Sequence, residues 1–480
     1  MKGEGCGSIL EKMTLSELLS KVHIDCQDDR IVQGISDDSR KIQSDWVFVV
    51  RNEQGKAYIA DALAKGAVVV QEDADERDDV YRVVYVEDVL PVLLHVYYKD
   101  PWKDLLMVAV TGTNGKSSVS DILKQLLEKN GYFTMTIGTG QVVYPGHVDP
   151  IDNTTPSVFL LMRYFALAKE LGLTAVIMEV SSHAIDQMRI RGICYDMVIY
   201  TNITQDHLDY HLTKTHYQYT KFKLRNALKE KGIIVLNNDD PVLETLYSLT
   251  GHKIITCGTS QAHVTICDVF LQAYGSRFRI DDKIFHTRLL SMANVYNITQ
   301  ALIVCRHLGI SYEKLQRDVE DLHPVPGRLQ CLSHTGYTVW IDYAHTYAAV
   351  KNIIDFANSV KERNVILVVG CGGEREKAKR HMIGSYAENM CDHAIFTTDN
   401  PRHELPDKIL SDMLPKRHSH IQVIENRWYA IKQAVNMAEK SDIIIIAGKG
   451  NEKTQSFMGK EYPFHDEDCI YEIWKREELT

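Results

Sequence analysis

The chain has 480 residues, 45% hydrophobic and 25% charged, an ordinary globular composition that excludes a disordered or fibrous protein. At roughly 150 residues per domain, this length predicts about three domains. The formal net charge of −10 argues against a nucleic-acid binder working through a general basic surface, and leaves room for a local basic pocket that takes an anion. No apolar run approaches the roughly 18 residues that span a bilayer, and the start MKGEGCGSILEKMTL lacks the apolar core of a signal peptide. Ten cysteines are scattered without a C-x-x-C pair, which predicts reduced thiols in a cytoplasmic protein rather than a zinc site or a disulfide framework.

In chain order, WVFVV (46–50), GAVVVQE (66–72) and YRVVYV (81–86) read as strands around a helix-like AYIADALAKG. Lys99-Asp100-Pro101-Trp102 punctuates the chain before a new apolar strand, LLMVAV (105–110). A helix is expected from Ser117, with Val119, Ile122, Leu123, Leu126 and Leu127 at helical spacing. TAVIMEV (174–180), MVIYTN (197–202) and GIIVLNN (232–238) are buried-strand candidates. His323-Pro324-Val325-Pro326-Gly327 is a second break. Beyond it YTVWIDY (337–343), VILVVG (365–370), HAIFTTD (393–399) and DIIIIAG (442–448) repeat the pattern. Short continuous apolar strands separated by helices predict an α/β fold of parallel sheets covered on both faces. The expected domains are 1–102, 103–325 and 326–480.

Val110-Thr-Gly-Thr-Asn-Gly-Lys-Ser-Ser118 follows a strand and opens a helix. Glycines let backbone N–H groups curl round a phosphate, and a helix N-terminus adds its positive end. Gly112, Thr113, Asn114, Gly115 and Ser118 form the cradle, Lys116 reaches terminal phosphates, and Ser117 is placed to ligate Mg2+. Only two residues separate Gly112 from Gly115, unlike the common four-residue spacing. Glu179 ends one buried-strand candidate and His207 follows Thr201-Asn202 at the end of the next in the chain, where ligands collect in open α/β sheets, and either alone reads as an ordinary polar strand end. The constellation predicts a nucleotide-phosphate site with candidate metal ligands beside it.

VTGTNGKSS, DNTTPS (152–157), MEVSSHAIDQMR (178–189), TNITQDHLDYH (201–211), PGR (326–328), DYAHT (342–346), GCGGEREKAKR (370–380), TDNPR (398–402) and AGKGNE (447–452) occur in the order seen in Mur ligases. In these motifs the chain resembles the MurE branch, which adds the third amino acid to UDP-N-acetylmuramoyl-L-Ala-D-Glu. The resemblance covers the second and third segments nearly end to end and the first more weakly. It implies three domains: an N-terminal α/β domain for the UDP end, a central parallel-sheet ATPase domain, and a C-terminal Rossmann-like domain for the amino acid. It also implies a cytoplasmic monomer acting on small molecules, with no nucleic acid or membrane partner, and a reaction using ATP and Mg2+. A substrate carboxylate becomes an acyl phosphate, the amine attacks, and phosphate leaves to give an amide. Mg2+ neutralises charge on the transferring phosphoryl group.

By the same resemblance, Lys116, Glu179, His207 and Lys221 form the catalytic set. Ser117, Glu179 and His207 are its metal ligands, with Lys221 joining them as a carbamate, since a bare ammonium would be repelled there. A plain solvated helix lysine is the other reading of Lys221. Asn294, Asn297, Arg328 and Asp342 match adenosine-side positions, although both asparagines read equally as helix caps or surface amides. Ser39, Asn153, Thr154, Thr155, Ser181, Gln187 and Arg189 match positions that grip the UDP-sugar dipeptide. Arg375, Asp399, Asn400, Arg402, Gly448 and Glu452 match the amino-acid pocket, and Asp-Asn-Pro-Arg is the signature of diaminopimelate enzymes. A guanidinium reads the second carboxylate of diaminopimelate bidentately, which makes Arg402 the expected specificity residue. Asn451, Glu374, Glu376, His381 and Tyr347 depart from the branch, and RNEQGKAYI (51–59) is shorter than its usual loop. Those first-segment changes leave open an alternative: a related ligase acting on a different carboxylate acceptor.

Overall fold

Runs of β-branched residues buried along nearly their whole length form the central strands of this chain, which is described by a computed structural model over residues 13–204, 206–246, 251–333, 336–416 and 419–477. Residues 1–12, with Cys6 and most of the start read above for a signal peptide, lie outside the described residues. The nine described cysteines are free thiols. Two compact units, residues 1–256 and 257–480, make up the chain.

The first unit opens with a parallel sheet of β1 (Gly34–Ser36), β2 (Trp46–Val49), β3 (Val68–Gln71) and β4 (Val80–Arg82), in that order. Alternate side chains serve opposite faces. Val47, Val49, Val68 and Val70 pack with Leu90, Leu93 and Leu94 of the helix Val86–Tyr98, while Phe48, Val50 and Val69 pack with Ile59 and Ala62. The strand expected over 81–86 stops at Arg82. β4 is an edge strand, and Val84 and Tyr85 beyond it are 79% and 64% exposed. The Glu72 carboxylate accepts the Val86 N–H at 2.9 Å, so a helix begins where the strand would have continued.

Seven strands of the second sheet, β5 (Leu106–Thr111), β6 (Thr134–Gly138), β7 (Gln141–Tyr144), β8 (His147–Pro150), β9 (Ala175–Glu179), β10 (Tyr195–Tyr200) and β11 (Leu228–Asn237), run in the order β11-β10-β5-β9-β6-β7-β8. β6-β7-β8 form antiparallel hairpins, and the other pairs are parallel. Register pairs Tyr200 with Thr111 and Val110 with Glu179, so the carboxyl ends of β10, β5 and β9 are level.

The chain enters the second unit within β12 (Lys253–Gly258). β13 (Val264–Gln272), β14 (Gly275–Ile280) and β15 (Lys283–Thr287) follow as an antiparallel meander that sequence reading overlooked, although Tyr274-Gly275 and Asp281-Asp282 are turn signals between alternating runs. The last sheet contains β16 (Gln330–Ser333), β17 (Thr338–Asp342), β18 (Val365–Val369), β19 (His393–Phe396), β20 (Ile421–Val423) and β21 (Ile443–Ala447), ordered β16-β17-β21-β18-β19-β20 and parallel except at β16. β22 (Thr454–Phe457) and β23 (Lys460–Pro463) make a hairpin. Val365, Leu367, Ile443 and Ile445 enter one core with the helices Tyr347–Val360 and Ala378–Met390. Ile366, Val368, Ile444 and Ile446 enter another with Arg427–Met437 and Asp466–Glu477. This is the doubly covered parallel sheet that the apolar runs predicted.

A fully buried ion pair ties those last two helices together. Arg427 Nε and Nη2 lie 2.7 and 2.8 Å from the two oxygens of Asp466, and Nη2 also donates to the carbonyl of Ala447 at 3.0 Å. Asp466→Ala strands a buried guanidinium and is expected to destabilise this unit by about 3–5 kcal/mol. The double change Arg427→Met, Asp466→Leu should recover most of that loss, read by denaturant unfolding.

Candidate active site

The level strand ends of β5 and β10 build the loop at 112–115. Gly112 has φ of +150°, and a Cβ there would overlap Thr201 Oγ1. The loop is stitched to the residues after β10: Thr113 N donates to Asn202 O at 2.8 Å, Asn114 N to Asn202 Oδ1 at 3.0 Å, and Thr201 Oγ1 to Asn114 O at 2.6 Å. Gly115, at φ +85°, turns the chain into the helix Lys116–Lys129. Ser117 and Ser118 lie in its first turn, where backbone N–H groups are unsatisfied within the helix. Lys116 Nζ folds back onto the carbonyls of Gly112 and Thr113, both at 3.0 Å.

Lys221, expected among the metal ligands as a carbamate, is buried beside this loop. Its Nζ donates to Gly112 O at 2.9 Å and lies 4.9 Å from the centroid of the Tyr217 ring. Tyr217 OH in turn bonds Thr113 Oγ1 at 3.0 Å. Burial, reinforced by the charge of Lys116, pushes the Lys221 ammonium well below the usual lysine range. A solvated helix lysine is therefore the wrong description of this side chain. The His207 ring lies 6.3 Å from that of Tyr217 and 4.9 Å from that of His183. Glu179 is buried at the end of β9, where its oxygens accept from Thr139 N and Oγ1 at 3.3 and 3.1 Å. A Cβ on Gly138 would overlap Glu179, so the glycine leaves room for that carboxylate.

Two lysines meet at one carbonyl, that of Gly112, and concentrate basic groups beside the loop. Among the described residues no three His, Cys, Asp or Glu side chains gather in metal-binding geometry. The donor set expected for Mg2+ is a hydroxyl, a carboxylate and an imidazole, Ser117, Glu179 and His207, with a single negative charge among the three.

Of the residues expected to grip the acceptor, Thr154, Thr155 and Ser181 gather round Glu179. Thr155 Oγ1 donates to Glu179 O at 2.9 Å and accepts from Ser181 N at 3.1 Å, and Thr139 Oγ1 lies 3.3 Å from Thr154 Oγ1. Arg189 Nη1 donates to Thr155 O at 2.8 Å, and Nη2 donates to Gln187. Gln187 and Arg189 face a cleft of about 270 Å3 shared with Asp37, Arg51, Asn52, Glu87 and Ser157. Asn153 is exposed beside Thr154, and Ser39 occupies the turn after β1 without lining that cleft.

The remaining candidates lie in the second unit. Asn294 and Asn297 share the helix Ser291–His307, where Asn294 donates back to Leu290 O at 2.9 Å and Asn297 donates to Asn294 Oδ1 at 3.1 Å. Asp342, raised by burial, already accepts from Leu329 N and Ala344 N at 2.6 and 2.8 Å, leaving its other lone pairs for a ligand. Arg328 lies over the Tyr343 ring, 5.3 Å from its centroid. A second cleft, of about 360 Å3, gathers Arg375, Asp399, Asn400, Arg402, Gly448 and Glu452, all six of the expected amino-acid residues, with Tyr343, His345, Thr346, Gly372, Glu376 and Lys379. Sequence reading missed Lys449, which is fully buried under this cleft. Its Nζ donates to Asn400 Oδ1 at 3.0 Å and Glu452 Oε2 at 2.9 Å, and Asn400 Nδ2 donates to the same glutamate oxygen at 2.8 Å. Burial raises Asp399. It also opposes ionisation of Glu452, but the hydrogen bonds from Lys449 and Asn400 win and hold that carboxyl below its ordinary range. The cleft is thus lined by two arginines and two acids, of which Glu452 is braced from beneath by Lys449 and Asn400, and carries both signs of charge.

A glycine loop opening a helix in one unit and a cleft lined by both signs of charge on a parallel sheet in the other are parts that an ATP-dependent amino-acid ligase uses. Residues 110–305 match the Mur ligase middle domain, and residues 327–450 match the Mur ligase glutamate ligase domain. The chain belongs to the Mur ligase family, whose members depend on ATP and Mg2+. It is 35% identical over 450 residues to the UDP-N-acetylmuramoyl-L-alanyl-D-glutamate--2,6-diaminopimelate ligase of Geobacillus kaustophilus, covering 89% of this chain and 92% of that one. The ligase of the same name from Listeria monocytogenes is 34% identical over 480 residues, covering 95% and 97%. A solved structure of a ligase of that name superposes with a TM-score of 0.78 at 28% identity, covering 98% of this chain and all of the other. The MurF ligase of Thermotoga maritima in complex with ADP shares the fold, with a TM-score of 0.59 at 19% identity, covering 92% and 97%.

Gly112→Ala forces a side chain into the space of Thr201. The expected cost is about 1–3 kcal/mol, with ATP-induced thermal stabilisation sharply reduced relative to the unchanged protein.

Proposed function

We propose that this chain joins meso-diaminopimelate to UDP-N-acetylmuramoyl-L-Ala-D-Glu, consuming ATP and forming ADP, as a cytoplasmic monomer in peptidoglycan precursor synthesis. The observation that carries this reading is the second cleft, whose lining brings together Arg375, Arg402, Asp399 and Glu452. Diaminopimelate is an amino acid at both ends, so a pocket for it needs cations for a carboxylate and anions for an ammonium in one cavity. The relatives of that name also span the N-terminal region of this chain, which supports the cell-wall acceptor over another carboxylate.

In this reading Lys116 leaves the carbonyls of Gly112 and Thr113 and meets the terminal phosphates of ATP. Arg189, with Thr155 and Gln187 setting its angle, orients the acceptor carboxylate. Glu179, His207 and Ser117 would hold Mg2+, which supplies neutralisation of phosphoryl charge. The carboxylate takes the phosphoryl group, the amine of diaminopimelate attacks the activated carbonyl, and phosphate departs. Arg402, whose Nη1 is anchored on Gly373 O at 2.6 Å, reads the distal carboxylate of the amino acid.

Burial disfavours the ammonium form of Lys221 and so favours the amine that adds CO2, and the resulting carbamate would put a negative charge beside Lys116. Protein exchanged into 13C-bicarbonate is expected to give a carbamate carbon resonance that Lys221→Met abolishes, together with its ligation activity. Arg402→Ala removes charge-assisted hydrogen bonds and should raise KM for diaminopimelate roughly 10- to 150-fold, with KM for ATP unchanged, in a ligation assay read by mass spectrometry.

A further inference from the structure

Arg380 is fully buried yet lines neither cleft. Its Nη1 and Nη2 donate to the two carboxylate oxygens of Glu404 at 2.9 and 2.7 Å, and Nη1 also reaches Asp412 at 2.8 Å. The same Glu404 carboxylate accepts the backbone N–H of Glu374 at 3.1 Å. Glu374 belongs to the loop that carries Arg375, whereas Glu404 belongs to the turn that carries Arg402. Both segments contain a residue in the left-handed region, Glu374 at φ +56° and Arg402 at φ +53°, a conformation that a non-glycine residue holds only with support. They are also joined backbone to backbone. Gly373 N donates to Asn400 O at 2.9 Å, and a Cβ on Gly373 would overlap Pro401 O. Behind them, a Cβ on Gly384 would overlap Met413 O, so the helices Ala378–Met390 and Pro406–Met413 meet without intervening side chains. Arg380, on the first of these helices, is thereby brought between Glu404 and Asp412.

We propose that Glu404, clamped by Arg380, is a positioning residue that fixes the spacing of Arg375 and Arg402 and so sets the preference for an amino acid bearing a second carboxylate. The Arg380 hydrogen bonds hold the Glu404 carboxyl down at about 2, so the clamp is ionised at any working pH. Bidentate geometry restricts both distance and angle, which a single contact would not. A carboxylate touching one loop by its own backbone and the other through an accepted N–H transmits that restriction to both arginines. This inference rests on the diaminopimelate reading of the cleft.

The test is steady-state ligation with diaminopimelate and with lysine, for the unchanged enzyme, Glu404→Gln, and the apolar pair Arg380→Met, Glu404→Leu. Glu404→Gln is expected to raise KM for diaminopimelate about tenfold or more and to lower its preference over lysine by a similar factor, with kcat and KM for ATP nearly unchanged. The apolar pair is expected to regain the melting temperature without regaining the preference, because buried ion pairs are replaceable for stability. Undiminished preference in Glu404→Gln, an equal fall in every kinetic parameter, or preference restored by the apolar pair would each overturn the proposal. An unchanged enzyme that does not prefer diaminopimelate would overturn the functional reading and this inference with it.

Discussion

The pairing of β5 with β10 is the constraint on which the catalytic half of this protein rests. Because Thr111 and Tyr200 are level, Thr201 and Asn202 arrive beside the 112–115 loop and take its backbone groups. No residue but glycine fits at 112, since any side chain would enter the space of Thr201. The same carbonyl of Gly112 receives Lys116 and Lys221, so the loop geometry also decides where the positive charge of the site accumulates.

Charge is arranged differently in the two units. In the first, two lysines are concentrated beside backbone carbonyls, with Glu179 set apart on the strand that neighbours β5. In the second, both signs of charge line one cleft, and the buried Lys449 keeps Asn400 and Glu452 in place from beneath. The first arrangement suits phosphate transfer, which asks for little covalent help and much electrostatic help. The second suits recognition of a molecule carrying both signs.

Much of this was legible in the sequence because it is local. The central strands are uninterrupted apolar runs, and the phosphate loop is a contiguous motif between a strand and a helix. All six expected amino-acid residues line one cleft, since each belongs to a loop at the carboxyl end of a parallel strand. The rest depends on partners distant in the chain. Nothing around Arg380 announces that Glu404 and Asp412 will enclose it, and Lys449 looks like any lysine between glycines until Asn400 and Glu452 close over it. The end of β4 was misjudged for the same reason: Val84 and Tyr85 look strand-forming, but Glu72 caps a helix there. Asn294 and Asn297, which the sequence left between two readings, bond to their own helix and to each other.

The contact of Gly384 with Met413 has an evolutionary consequence. Helices already touching through their backbones cannot slide closer, and a larger residue at 384 would wedge them apart and disturb the base of the amino-acid cleft. The dimensions of that pocket are thus effectively frozen in this scaffold. A descendant that came to prefer a different amino acid would have to do so by exchanging side chains on the loops around Arg375 and Arg402, a few substitutions at a time, with the helical frame inherited intact.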